Sequence, residues 1–143
     1  MERIEDSFSF LIAKAYQQVQ IAARRRLEPF KITTVQYSLL NVLWEQDGQS
    51  GAELGARLKL DGATVTGMLD RLEHSKFIER KPDPKDRRIN RVYLTPPGLA
   101  LQEPAQHAII SLNNEILSQF NPADTIRLRQ MLGELAQEAE TLA

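Results

Sequence analysis

Apolar residues return every three or four positions through most of this chain, and the places where that rhythm fails mark its turns. Phe8, Leu11, Ile12, Ala15, Tyr16, Val19, Ala22, Ala23 and Leu27 keep helical spacing across about residues 5–28, stopping before Pro29. A second helix opens at Thr33-Thr34-Val35-Gln36, a capping-box sequence, and carries Leu39, Leu40, Val42, Leu43 and Trp44 to a stop near Asp47-Gly48. Ser50-Gly51-Ala52-Glu53 reads as another capping box and starts a short helix through Leu58. Asp61 is placed to cap a fourth helix, about 62–76, with Val65, Met68, Leu69 and Leu72 on its apolar face. The period then changes. Phe77-Ile78-Glu79-Arg80-Lys81 and Arg91-Val92-Tyr93-Leu94-Thr95 roughly alternate, as the strands of a half-buried hairpin should. Thr95-Pro96 signals a further helix over about 97–119, through Leu99, Ala105, Ala108, Ile109, Leu112, Ile116 and Leu117. Asn121-Pro122-Ala123-Asp124 breaks it and caps a last helix bearing Ile126, Leu128, Met131, Leu132, Leu135, Ala139 and Leu142. The chain contains neither an internal repeat nor a low-complexity linker.

Between the two short strands lies Asp83-Pro84-Lys85-Asp86-Arg87-Arg88, a charged turn with Arg91 close behind it. Its charges must stay solvated or meet a polyanion, so it cannot be core. Helix, turn, helix, then a basic hairpin is the layout of a winged helix-turn-helix, a module that reads duplex DNA. The fold expected is mainly α with a small β-hairpin wing, a winged helix-turn-helix flanked by N- and C-terminal dimerisation helices. One domain should span 1–143. The DNA-binding lobe would occupy about 33–96, and the dimerisation helices about 1–30 and 97–143. Those outer helices carry more apolar surface than a small winged helix can cover, which predicts a homodimer. A twofold pair sets its recognition helices roughly 34–36 Å apart and calls for a near-palindromic operator.

Charge needs to be read by region. The whole chain has a formal net charge of −1, but residues 57–91 hold ten Lys/Arg against six Asp/Glu, a local +4 that leaves −5 elsewhere. A basic patch on a mildly acidic body can dock on DNA while limiting nonspecific adhesion. Hydrophobic residues at 42% and charged residues at 26% are ordinary globular values. Cysteine is absent, which excludes disulfides, thiol redox sensing and cysteine-ligated zinc. No apolar run approaches the ~20 residues of a membrane span, and Met-Glu-Arg-Ile-Glu-Asp lacks the basic-then-apolar order expected of a signal peptide. A cytoplasmic location is expected.

Within the fourth helix, Ala63, Thr64 and Thr66 are small or hydroxyl-bearing side chains opposite the apolar face, suited to close approach to base edges. Gly67 breaks a local rule, since glycine inside a helix costs roughly 1 kcal/mol relative to alanine. It implies close backbone approach to DNA or to a neighbouring helix, or relief of crowding in the three-helix core. Arg71 would reach a phosphate or a guanine, or else pair with Asp70 or His74. Arg87, Arg88 and Arg91 suit a narrow minor groove, and Asp83 and Asp86 would structure the wing by bonding turn amides or bracing an arginine. Ser50 completes the DNA-contact set. Arg24-Arg25-Arg26 serve either the negative end of the first helix or a phosphate. Catalysis finds no support: His74 and His107 stand without a partner at a motif spacing, and no glycine loop cradles phosphate. Neither a metal nor a cofactor is expected.

With these residues in hand, the chain resembles the MarR family of bacterial transcription regulators over essentially its full length. Asp83, Asp86, Arg88, Leu94, Thr95 and Gly98 match its wing pattern. Ile32-Thr33 with Gln36-Tyr37 and Leu39-Leu40 is similar to its second-helix start. Glu53-Leu54, Thr64-Val65-Thr66 and Leu69-Asp70-Arg71-Leu72-Glu73 resemble its helix-turn-helix. The resemblance implies recognition-helix contacts near Thr64, Thr66 and Arg71, with Arg88 in the minor groove. At Gly67 the chain departs from the larger polar or basic residue of many relatives. Family members often release DNA when a small aromatic or phenolic anion enters a cleft, and Lys14, Tyr37 and Trp44 are the local candidates for that effector site. The expected function is therefore a sequence-specific, homodimeric repressor of double-stranded DNA, released by a small ligand. The alternatives are a winged-helix protein-interaction module, or an activator or antirepressor that displaces another DNA-bound protein.

Overall fold

The computed structural model describes residues 1–142, with side chains described through residue 137. Ala139 and Leu142, expected on the apolar face of the last helix, lie outside those described side chains. The elements run α1 (Phe8–Leu27), α2 (Thr34–Glu45), β1 (Gln49–Ser50), α3 (Gly51–Leu58), α4 (Gly62–His74), β2 (Ile78–Pro82), β3 (Asn90–Leu94), α5 (Pro96–Leu117) and α6 (Pro122–Leu142). Short 3-10 turns at Ile4–Asp6 and Glu28–Phe30 flank α1. The chain divides into one unit over Met1–Ile109 and a second from Ile110 onward, so the division falls inside α5.

Local chemistry accounts for the starts of α2, α3 and α4. At α2 both halves of the capping box form: Gln36 N–H donates to Thr33 Oγ1 at 3.1 Å, and Thr33 N–H donates to Gln36 Oε1 at 2.9 Å. At α3 only one half forms. Glu53 N–H donates to Ser50 Oγ at 3.1 Å, while Glu53 turns its carboxylate toward Arg91. At α4 the Asp61 carboxylate accepts from Thr64 N–H at 2.8 Å. Lys59 ends α3 in the left-handed conformation at φ 56°, and that sharp reversal separates the two helices of the helix-turn-helix.

The core of this unit gathers Leu27 and Ile32 with Leu39, Leu40, Val42 and Leu43 of α2, then Leu54, Val65, Met68, Leu69 and Leu72 of α3 and α4. Ile78, Val92 and Leu94 close it from the strands, and Leu101 and Ala105 from α5. Most of these positions are ones that the helical and alternating periods pick out, but in α5 Leu101 is buried where the period predicts Leu99, and Leu99 is exposed.

The sheet departs from expectation. It has three strands in the order β1-β3-β2, both pairs antiparallel, rather than a two-stranded hairpin. Gln49 and Ser50 add to β3 opposite Val92 and Arg91. The buried Gln49 amide fixes this corner by donating to the Val42 carbonyl at 3.0 Å and the Gln46 carbonyl at 2.6 Å. The extra strand therefore anchors the base of the wing to the end of α2.

The second unit contains the last turns of α5 and the whole of α6. Asn121 caps α6, its Oδ1 accepting from Asp124 N–H at 2.8 Å. Ile126, Met131 and Leu132 are exposed along α6. Among the described residues no helix is long and apolar enough to cross a membrane.

Candidate nucleic-acid interface

Helix α4 turns Val65, Met68, Leu69 and Leu72 inward and leaves Ala63, Thr64, Thr66 and Arg71 exposed. The two threonines have their single hydroxyl hydrogens engaged. Thr64 Oγ1 donates to Asp61 Oδ2 at 3.0 Å, and Thr66 Oγ1 donates to the Gly62 carbonyl at 2.9 Å. Outward they offer lone pairs and methyl groups, so toward a base edge they act as acceptors or thymine-methyl contacts. The bonds from Thr64 also hold the Asp61 carboxyl below the usual carboxylate range.

Gly67 does not relieve crowding in the three-helix core, and no neighbouring helix approaches it. A methyl built there meets only an Arg71 guanidinium nitrogen at 3.6 Å, an ordinary contact. The glycine lies beside an open lane on the outer side of α4. Nor does Arg71 pair with Asp70, because Asp70 is taken by Arg80 at 2.6 Å. Arg71 makes no ion pair or hydrogen bond among the described residues.

Arg80, on β2, is the organising cation behind this face, and sequence reasoning missed it. Its Nη2 donates to Asp70 at 2.6 Å and to Glu73 at 2.9 Å, while its backbone N–H donates to the other Glu73 oxygen at 3.1 Å. The Arg80 side-chain bond is the main cause that keeps the Glu73 carboxyl below the usual range. One half-buried guanidinium thus fastens the recognition helix to the wing. Asp70 and Glu73 share a helix face three residues apart, which was the available signal.

In the wing, the arginines separate into two roles. Arg91 is not a tip residue: its Nε donates to the buried Asp83 carboxylate at 2.6 Å and its Nη1 to the Gly48 carbonyl at 3.1 Å. From β3 it clasps the wing base, joining the end of β2 to the start of β1, with Glu53 also within 3.5 Å. Asp83 accepts the Lys85 N–H at 2.7 Å as well, and that bond, followed by Arg91, lowers its pKa. Nearer the tip, Asp86 braces Arg88 through both carboxylate oxygens, at 3.1 and 3.2 Å, and accepts the Arg88 N–H. The Arg88 side chain is nonetheless 90% exposed, so the brace orients it without hiding it. Lys85 and Arg87 are exposed and carry no side-chain ion pair among the described residues.

Ser50 requires a correction of another kind. It is buried, pairs with Arg91 of β3 and caps α3, its Oγ accepting from Glu53 N–H, so it sits inside the lobe rather than on the DNA-facing surface. Arg24, Arg25 and Arg26 occupy the last turn of α1, where cations complement the helix dipole.

Leu94-Thr95-x-x-Gly98 acquires a physical meaning at the junction of wing and α5. Thr95 N–H donates to the Phe77 carbonyl at 3.1 Å, and its hydroxyl donates to the Lys76 carbonyl at 2.6 Å. Gly98 packs directly on the Phe77 carbonyl, and its own carbonyl accepts from Trp44 Nε1 at 3.0 Å. Of the three effector-site candidates, Tyr37 and Trp44 come together edge to face, with ring centroids 6.0 Å apart. Burial raises the Tyr37 phenol above its usual pKa. Lys14 stays exposed on α1, 5.5 Å over the Phe10 ring. Among the described residues, no group of three or more His, Asp or Glu is placed to hold a metal.

Comparison with known proteins agrees with this geometry. The MarR family model matches residues 32–89, from the entry to α2 through the wing turn. The organic hydroperoxide resistance transcriptional regulator of Bacillus subtilis is 32% identical over 103 residues, covering 72% of this chain and 70% of that protein. The regulator TtmR of Methylorubrum extorquens is 36% identical over 101 residues, covering 71% of this chain, which spans about half (52%) of TtmR. Among solved structures, Bordetella bronchiseptica BpsR, whose DNA binding is regulated by 6-hydroxynicotinic acid, superposes with a TM-score of 0.88 at 26% identity, covering 95% of this chain and 97% of that one. A helix-turn-helix with an outward polar face, a braced basic wing and these relatives together place the chain in the MarR family of DNA-binding transcriptional regulators, which are not enzymes.

Proposed function

We propose that this regulator is a homodimeric repressor that grips a near-palindromic operator and lets go when a small aromatic anion binds. The observation that carries the reading is the outward face of α4 and the wing. It presents Thr64, Thr66, Arg71, Arg87 and Arg88 to solvent, while the carboxylates beside them are engaged by Arg80, Arg91 or Arg88 itself. Dimerisation is supported by apolar side chains that an isolated chain leaves in water. Phe8 and Tyr16 on α1 are 60% and 65% exposed, and Ile126 on α6 is 66% exposed. For the effector, the Tyr37–Trp44 pair offers aromatic walls, and the regulation of BpsR by 6-hydroxynicotinic acid supplies a precedent in a similar fold.

The test is retention of sheared DNA from the source organism by the purified protein, followed by sequencing. Enrichment of a near-palindrome is the expected result. Affinity for that site should fall ~10³- to 10⁵-fold between 50 and 200 mM salt if the dimer makes the usual 6–10 phosphate contacts. A flat salt response, or retention no better than on heparin, would refute the operator reading and favour an acidic protein partner. Trp44 is the only tryptophan, so its fluorescence reports directly on the candidate effector site. Aromatic carboxylates should quench it and release DNA together. DNA release by such compounds without any change at Trp44 would move the effector elsewhere.

A further inference from the structure

We infer that Gly67 is the specificity-setting position of the recognition helix, because it leaves open the lane in which Arg71 lies toward a guanine. The inference rests on the operator reading above and concerns how the bases are read. Long side chains on a helix lean toward its N-terminus, over the residue four positions earlier. For Arg71 that residue is Gly67, and the guanidinium is the only group that a methyl at Gly67 would meet, at 3.6 Å. The glycine is thus unexplained by packing inside the lobe, although it weakens the helix in which it sits. Asp70, the nearest carboxylate in sequence, is bound by Arg80 and does not draw Arg71 aside.

The result is a planar, unpaired fork of donors held flat along the exposed face of α4, one turn closer to Thr64 and Thr66 than its own Cα. Guanine presents two acceptors, O6 and N7, on the major-groove edge, and a bidentate arginine is their usual partner. Thr64 and Thr66, with their hydroxyl hydrogens engaged, offer only acceptors and methyls beside it. A side chain longer than alanine at residue 67 would fill the lane, lift the guanidinium away from the helix and remove the guanine preference. Alanine would not, since its methyl stays at ordinary contact distance from Arg71.

The experiment is binding-site selection from a randomised duplex library with full-length wild type, Gly67→Ala, Gly67→Gln and Arg71→Ala, with melting temperatures measured in parallel. Wild type and Gly67→Ala should select the same half-site, containing a strongly preferred guanine. Gly67→Gln and Arg71→Ala should lose preference at that guanine by on the order of 10- to 100-fold, the worth of a good bidentate pair, and keep the rest of the site. Both Gly67 variants should melt at or above the wild-type temperature, because each replaces a helical glycine with a better helix former. That keeps any loss of preference separate from unfolding. A guanine preference that survives Gly67→Gln or Arg71→Ala overturns the inference and leaves the operator reading standing. Loss of all binding in Gly67→Ala would also overturn it, by showing that the backbone at Gly67 itself touches DNA. Failure of wild type to enrich any half-site would remove both.

Discussion

Replacing Gly98 with alanine should cost more stability than any comparable change in the lobe. The added methyl would stand 2.1 Å from the Phe77 carbonyl oxygen and 3.1 Å from its carbon. A carbon and an oxygen meet comfortably only beyond about 3.3 Å, so something must retreat by roughly 1.2 Å. Both partners are main chain, and neither can swing aside. Retreat loosens the Thr95-to-Phe77 bond and the bond from Trp44 Nε1 to Gly98, at 3.1 and 3.0 Å. Each is worth about 0.5–1.5 kcal/mol net, and overpacking adds about 1–3 kcal/mol. Better helix propensity returns about 1 kcal/mol. The balance is a loss of about 1–5 kcal/mol, or near its middle a fall in Tm on the order of 10 °C. Differential scanning calorimetry against Gly62→Ala makes the comparison, because a methyl at Gly62 meets nothing within 4 Å. A Gly98→Ala protein that melts with wild type would refute the claim that close backbone contact at the wing–α5 junction demands glycine.

Arg88→Ala should weaken operator binding several-fold and leave the oligomeric state on a sizing column unchanged; a protein that falls apart instead would show that the wing supports assembly. Arg80→Met removes one cation but exposes the charges of Asp70 and Glu73 beside Arg71. DNA affinity should therefore fall further than in Arg88→Ala, and equal losses would mean that the latch does not shape the reading face. Asp83 and Asp86 have pKa values lowered by bonds present only in the folded wing. Their contribution is complete above the ordinary carboxylate pKa near 4 and is lost as pH falls through the lowered folded values. Amide exchange in residues 83–90 should be flat from pH 7 to 5, after correction for intrinsic rates, and accelerate below about pH 4. An onset near pH 6 would point to histidine instead.

Helices were legible because their signals are local. Thr33 with Gln36, and Asp61 ahead of Val65, announce their own starts, and the apolar spacing names the residues that become core. Strand β1 was not legible: two residues carry no period, and Ser50 reads more naturally as the helix cap that it also is. The same limit applied to the charges. Sequence places Arg87, Arg88 and Arg91 in one basic cluster, but only the sheet register brings Arg91 back onto Asp83 and Gly48. Arg80 meets its partners seven and ten residues away across a turn, beyond the reach of helical spacing rules. Gly67 and Gly98 look alike in sequence as glycines within helices. Their causes are opposite: one has only the far end of the flexible Arg71 side chain beside it and the other has a backbone carbonyl, which only packed neighbours can reveal.

The distribution of paired and unpaired charges explains how a chain with a net charge of −1 can behave as a local polycation. Every acidic side chain between residues 57 and 91 has a task inside the lobe. Asp61 caps α4, Asp70 and Glu73 hold Arg80, Glu79 meets Lys81, Asp83 holds Arg91 and Asp86 braces Arg88. Arg71, Lys76, Lys85 and Arg87 have no such carboxylate partner among the described residues. The local excess of positive charge is therefore carried by side chains on or next to α4 and the wing turn, and the paired cations, apart from the exposed Arg88, serve as framework. An incoming phosphate backbone meets those unpaired charges first, while the acidic remainder of the chain repels it. Attraction and repulsion on one molecule select the orientation of approach before any base edge is touched, which is how a weakly charged protein limits nonspecific binding without giving up its grip on DNA.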